Sequence, residues 1–336
     1  MIKSMEINIE KAMLHILDND GGTSIVSEKN IVLEEELADF IEKHLKKSFE
    51  DIDGKETQWE TRDNELYDEL VQFKRTQDFI RINQDIAGRF LKVFDLGSDV
   101  PSADLLIVVF RKDQIPYLGV LKFNYRNSYI HHVETEDGVR ATIVKQPYAL
   151  PLETQKLEEY VLMDLFDDQL KIKERKFTIA GEKRFYISEM IVKSKSSLSE
   201  KSSIDIVEKS AKKLIAQEYG NDLEKWSDFK DTLSEDYINN QEINIDRIAE
   251  KTFKDQDGKA AFKEEVEKYG LVDGQIKLGA NAEKRVLRKH KIVTETGIEI
   301  SIPPSFLKDK EMIEFQNNRD GSVSILIKNI GEFNSR

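Results

Sequence analysis

Two short apolar runs set close together constrain the fold of this chain more than any other feature. Residues 104–110 read Asp-Leu-Leu-Ile-Val-Val-Phe and residues 117–123 read Tyr-Leu-Gly-Val-Leu-Lys-Phe, each bounded by turn-forming residues. Short runs rich in branched side chains, without the three-and-four spacing of a helix, predict buried strands. The pattern before them is helical. Leu37, Phe40, Ile41 and Leu45 fall on one face of a helix, and Leu66, Leu70, Phe73, Phe79, Ile82, Ile86, Phe90 and Val93 predict a longer helix over 65–94. Helices leading into strands with hairpin signals between them predict an α+β fold.

Around this centre the periodicity changes several times. Ile7, Ile9, Ala12, Leu14 and Ile16 predict a strand with one irregularity, and residues 18–22 (Asp-Asn-Asp-Gly-Gly) a turn. Further strands are expected at 129–134, 139–144 and 185–191, the first two joined across Glu136-Asp137-Gly138. Residues 193–203, rich in Ser and Lys, predict a linker or exposed loop. Helical patterns follow at 204–219, 222–238, 245–253 and 259–269. An alternating strand is expected over 292–302, stopped by Pro303-Pro304, and then a hairpin of 312–316 with 323–328. The expected organisation is multi-domain. A mixed sheet with helices spans 1–195, a helical region 204–282, and a small β-rich part 283–336 opens on a basic segment.

A chain of 336 residues with 39% hydrophobic residues has the material for sizeable cores. It contains no cysteine, which excludes disulfides, thiolate metal sites and a Cys nucleophile. No apolar run approaches the ~18 residues that cross a bilayer. The first residues lack the apolar core of a signal peptide, so a soluble intracellular protein is expected. Phosphate-binding loops, dinucleotide fingerprints and zinc-protease or hydrolase motifs are missing from the sequence, and no cofactor is expected. His131 and His132 are the one adjacent histidine pair. Strand neighbours point to opposite faces, so no metal site is expected there.

Charge is distributed unevenly. The net formal charge is −13, and residues 1–100 carry 23 carboxylates against 13 Lys and Arg. Against that background, residues 283–291 hold Lys284, Arg285, Arg288, Lys289 and Lys291 with a single carboxylate, Glu283. Such a cluster makes a local positive field able to hold a phosphate backbone. The same residues also read as a solvated helix end with cations near its C-terminal dipole. A second basic stretch, 170–214, includes Lys171, Lys173, Arg175 and Lys176, then Lys183, Arg184, Lys193, Lys195, Lys201, Lys209, Lys212 and Lys213. Phe177, Phe185 and Tyr186 lie among them as stacking platforms or as core. No helix-turn-helix or zinc finger is visible, so any contact with nucleic acid is expected to be sequence-nonspecific. The acidic N-terminal part suits a basic protein partner.

Asp104 before one strand and Lys122 in the next resemble the layout of the PD-(D/E)-x-K nucleases, in which two carboxylates hold Mg²⁺ and a Lys assists the attacking water. The second acidic position is Val120, which binds no metal, and Asp113 is the nearest substitute. A nuclease is therefore the remotest alternative.

As a whole the chain resembles the bacterial nucleoid-associated protein family of the NdpA type. Four stretches carry the likeness. They are 9–17; 85–91 with 102–110 and 117–122; 187–199; and 297–302 with the closing hairpin to Lys328. The resemblance implies a cytoplasmic, nucleoid-located, non-catalytic protein. It brings over no binding residues, so Lys284, Arg285, Arg288, Lys289 and Lys291, with Lys171, Lys173, Arg175 and Lys176, are candidates on charge alone. The expected partner is DNA or a basic nucleoid protein, with no membrane, and a homodimer is left open. An interaction scaffold with an acidic N-terminal face is the alternative function.

Overall fold

The computed structural model describes residues 5–135, 138–220, 222–288, 290–293, 296–302, 311–318 and 323–331. The chain forms two compact units, Met1–Leu198 and Ser199–Arg336. In the first, the elements run β1 (Ile7–Leu17), α1 (Glu35–Glu50), β2 (Lys55–Gln58), α2 (Glu65–Thr76), α3 (Phe79–Asp95), β3 (Ala103–Lys112), β4 (Ile115–Asn124), β5 (Arg126–Glu134), β6 (Arg140–Ala149), β7 (Glu159–Asp164), β8 (Gln169–Lys173), β9 (Phe177–Ile179) and β10 (Glu182–Arg184).

Six of these strands make one sheet in the order β1-β3-β4-β7-β8-β2. Every pairing in it is antiparallel. The expected mixed sheet is thus corrected, because no right-handed crossover links two neighbouring strands. Instead β3 and β4 turn back on each other through Asp113 and Gln114, both at positive φ, in a two-residue hairpin. The apolar runs are near-continuous because both faces of the sheet are covered. Leu105, Ile107 and Val109 pack with α2 and α3, whereas Leu106, Val108 and Phe110 pack with Ile41 and Leu45 of α1. The irregularity in β1 is a bulge at Glu10. It shifts the register between Ile9 and Lys11 and so moves the α1-facing set from Ile7 and Ile9 to Ala12 and Leu14.

The single helix expected over 65–94 is two. Gln77 turns left-handed at φ 57° and closes α2, and the Asp78 carboxylate accepts from Arg81 N–H at 3.1 Å to start α3. No proline or glycine marks the break. The strand expected at 185–191 is also corrected. Tyr186, Ile187, Ile191 and Val192 are buried, a helical spacing, and they form one π turn, Ile187–Ile191, with Val192 N–H donating to the Ile187 carbonyl at 2.8 Å. Sequence reading missed β2, β7 and β8. β7 is buried at all six positions in the middle of the sheet.

The second unit contains α4 (Glu200–Glu218), α5 (Leu223–Asn240), β11 (Glu242–Asn244), α6 (Ile245–Thr252), α7 (Gln256–Glu267), β12 (Gln275–Lys277), α8 (Glu283–Val286), β13 (His290–Val293), β14 (Glu299–Ile302), β15 (Ile313–Asn317) and β16 (Val323–Ile327). Ile204, Val207, Phe229, Leu233, Ile248, Phe253, Phe262 and Val286 are buried within the helical part. The strand expected over 292–302 divides. β13 and β14 pair with each other, and Gly297, at φ 87°, lies in their connection where a side chain would be strained. β15 and β16 form the expected hairpin.

Candidate nucleic-acid interface

The basic segment opens on α8, a helix of one turn, and Arg285 fastens it to α4. The Arg285 guanidinium donates to Asp205 and Glu208, each at 2.6 Å, and Glu208 also accepts from Lys230 at 2.7 Å. Burial works against all of these charges. The mutual pairing nonetheless holds the Glu208 carboxyl below the usual carboxylate range and Arg285 above the usual guanidinium value. Val286, on the same turn, is fully buried. Arg285 is therefore satisfied inside the protein, and its neighbours Lys284 and Arg288 face solvent.

The position of α8 brings together two stretches separated in sequence. Asp205, Glu208, Lys209 and Lys212 lie at i, i+3, i+4 and i+7 on α4, which is one helix face. Lys209 and Lys212 are exposed on that face, beside the two carboxylates that Arg285 neutralises. Among the described residues Lys209, Lys212, Lys284 and Arg288 carry no ion pair. Lys213 instead meets Glu265 at 2.6 Å. Lys289 lies outside the described residues, and Lys291 is placed on β13.

The earlier part of the second basic stretch is arranged differently. Lys171 donates to the Phe49 carbonyl at 2.6 Å, and Lys173 reaches Asp51 at 2.7 Å. Burial alone would raise the Asp51 pKa, but hydrogen bonds from Lys156 and Lys173 hold it below the ordinary value. Arg175 pairs with Glu158 at 3.0 Å while remaining exposed, and Lys176 lies over the Phe185 ring, 4.8 Å from its centroid. Lys183 meets Asp99 and Arg184 meets Glu182, while Lys193 donates to the Asp63 backbone carbonyl and Lys195 to the Gln58 side-chain oxygen. Of the three aromatics, Tyr186 is fully buried and Phe177 packs against the same core. In 171–195, Lys173, Arg175, Lys183 and Arg184 thus meet carboxylates, and Lys171, Lys193 and Lys195 donate to neutral oxygens. Lys209 and Lys212, which composition alone did not separate from them, are free of such pairing.

Comparison with known proteins decides the family. The family described as nucleoid-associated protein YejK matches residues 13–333, almost the entire chain. The chain belongs to this YejK family. No curated protein compared with it matches. The family description names association with the nucleoid and no reaction. No helix among the described residues is long and apolar enough to cross a membrane.

The nuclease-like pair takes a different form in this YejK-family chain. Asp104 is in register with Phe123 and lies on the α1 side of the sheet, whereas Lys122 is in register with Leu105 on the other side. The sheet separates them, so they cannot share one metal ion. Asp113 sits in the β3–β4 turn, at the far end of those strands from Lys122. Asp104 accepts from the Tyr125 hydroxyl at 2.6 Å, and burial raises its pKa. Lys122, 1% exposed, donates to Glu159 at 2.7 Å and to Asn124 at 2.5 Å. Burial pulls the Lys122 pKa down and Glu159 opposes that shift. Tyr186 lies nearby with its hydroxyl buried, and burial and then the charge of Glu159 push its pKa well above the ordinary value. This is a sealed ion pair under a helix layer, and among the described residues no group of three or more acidic or histidine side chains is placed to hold a metal. His131 and His132 are both exposed, on opposite faces of β5.

Proposed function

We propose that this chain touches DNA directly and without sequence preference through the exposed cations around α8. Lys284 and Arg288 form the centre, Lys209 and Lys212 extend it along α4, and Lys289 and Lys291 continue it in sequence. Arg285 positions the patch and does not itself reach phosphate. One observation carries this reading: in a chain of net charge −13, Lys209, Lys212, Lys284 and Arg288 are exposed and meet no carboxylate among the described residues, while Lys173, Arg175, Lys183 and Arg184 are paired with carboxylates. Charge left free against such a background attracts a polyanion locally. Arg175 and Lys176 are exposed and belong to a secondary contact at most.

A labelled duplex titrated from low to physiological salt tests the proposal by fluorescence anisotropy. Each phosphate contact contributes about −0.9 to the slope of log affinity against log salt. Lys284→Glu with Arg288→Glu is expected to weaken binding and flatten that slope by about 2. Unchanged binding in the double variant removes the patch.

A second reading draws on the acidic surface of the first unit, where Glu28, Glu34, Glu35, Glu36 and Asp39 are all exposed at and before the start of α1. That surface repels DNA and suits a basic protein of the chromosome machinery. Failure of the full chain to bind duplex even at low salt would favour it.

A further inference from the structure

A cavity of about 220 Å³ opens in the first unit between the end of β2, the start of α2 and the β7–β8 turn. Trp59, Glu60, Tyr67, Asp167, Asp168 and Lys195 are among the residues that line it. Its aromatic wall is set by packing: the Trp59 and Tyr67 ring centroids lie 5.6 Å apart, and the Tyr67 hydroxyl donates to Asp168 at 3.1 Å. Its acidic wall is a turn held in shape by Asp164, whose carboxylate accepts from the Phe166 and Asp167 N–H groups at 2.7 and 3.2 Å. The charges are unequally matched. Asp168 is met by Lys74, and Lys195 donates to the Gln58 side-chain oxygen at 3.0 Å, but Glu60 and Asp167 are exposed and meet no cation among the described residues. Trp59 is 2% exposed, and its indole N–H meets no acceptor among the described residues. Phe166, which precedes Asp167 on the same turn, is 81% exposed.

We infer that this cavity holds the side chain of an arginine residue presented by an extended segment of a partner protein. The inference rests on the second reading of the function, a basic protein partner, and gives that reading a site. Charge, shape and size select the occupant. Two unpaired carboxylates repel phosphate and attract a cation. That cation is organic, because among the described residues no three acidic or histidine side chains are placed to hold a metal. A guanidinium is planar, forks onto carboxylates and lies over aromatic faces, so it matches these walls better than the compact ammonium of lysine. The volume falls below the roughly 300–1,000 Å³ of a small-molecule pocket and suits one long side chain. A peptide also brings what a free cation lacks: a backbone carbonyl to accept from Trp59, and a neighbouring apolar side chain to cover Phe166.

The chain contains two tryptophans, Trp59 and Trp226, so Trp226→Phe leaves Trp59 emission as a reporter from the cavity itself. The probe is the peptide acetyl-Gly-Arg-Leu-Gly-amide, set beside the same peptide carrying citrulline, the neutral isostere of arginine. The arginine peptide is expected to change Trp59 emission saturably, and calorimetry on the wild-type chain is expected to give the same dissociation constant. Citrulline in place of arginine, or Glu60→Gln with Asp167→Asn, is expected to weaken binding at least about tenfold. Both substituted side chains are exposed, and an unchanged melting temperature checks that the fold is kept. Glu35→Gln with Glu36→Gln, on the acidic start of α1, is expected to change nothing. Binding that ignores Glu60→Gln/Asp167→Asn but is lost in the α1 variant overturns the cavity and leaves a basic partner at α1. Equal binding of the two peptides overturns it as well. So does no binding at millimolar arginine peptide, and the wider reading falls with it only if a decalysine peptide also fails to bind.

Discussion

His44 and His15 are histidines kept neutral by their surroundings. The His44 ring is fully buried and packs edge-on against Phe40 and Phe123, with centroids 4.6 and 5.2 Å away. His15 Nδ1 accepts from Ser27 N–H at 3.1 Å, which leaves its proton on Nε2, facing Asn83. Burial lowers both pKa values below the ordinary 6.5. The folded chain then binds fewer protons than the unfolded one between each folded pKa and 6.5, so this stability is complete above 6.5 and is lost as pH falls below it. Thermal melts at pH 7 and pH 5 are expected to show a smaller drop for His44→Phe than for wild type. Lys122 and Glu159 make a related case. Lys122→Met leaves a buried carboxylate alone and is expected to cost about 3–5 kcal/mol in urea unfolding, most of it recovered in Lys122→Met with Glu159→Leu. Glu159 escaped sequence reading because it lies in 153–169, where acidic residues outnumber basic ones and suggest surface. Only the register of β7 against β4 shows that its partner is Lys122. The positive cluster at 284–291 was visible as composition. The role of Arg285 was not, because Asp205 and Glu208 lie about 80 residues earlier.

Among the elements, those that closed locally were legible and those that depend on distant chain were not. β3 and β4 form from adjacent apolar runs and a two-residue turn, and both were evident. β2 and β8 pair across more than 100 residues, and their short, mostly polar sequences carry no periodic signal of their own. The junction before α2 shows how such links are held. Asn64 is 1% exposed, caps α2 by accepting from Tyr67 N–H at 3.2 Å, and donates to the carbonyls of Glu60 and Val192, each at 2.8 Å. Asn64→Ala removes the cap and strands a buried carbonyl, so a loss of about 2 kcal/mol is expected in denaturant unfolding, above an ordinary cap deletion of about 1. α8 is held by side chains rather than length. Arg285→Ala is expected to destabilise the second unit by about 2 kcal/mol and to lower DNA affinity through loss of position, whereas Lys284→Glu is expected to lower affinity at unchanged stability.

For the whole molecule, charge and architecture divide the work. The first unit is an antiparallel sheet between helix layers, acidic outside and with most of its basic residues paired internally. The second is a helical body followed by two β-hairpins, and it carries the unpaired cations of α4 and α8. The three-part division read from the sequence, with boundaries near 195 and 283, stands as a proposal beside these two units. Expressed separately, residues 1–198 and 199–336 are each expected to unfold cooperatively by circular dichroism. Membership of the YejK family associates the chain with the nucleoid. The open choice is between direct contact and recruitment, and charge placement favours contact through α8 and α4. Salt-titrated anisotropy of the full chain on a labelled duplex, with wild type beside Lys284→Glu/Arg288→Glu, tests this most directly. The account predicts binding at low salt that falls steeply as salt rises, weakened and flattened in the variant. No binding by the wild type at low salt, or an identical slope in the variant, would contradict it.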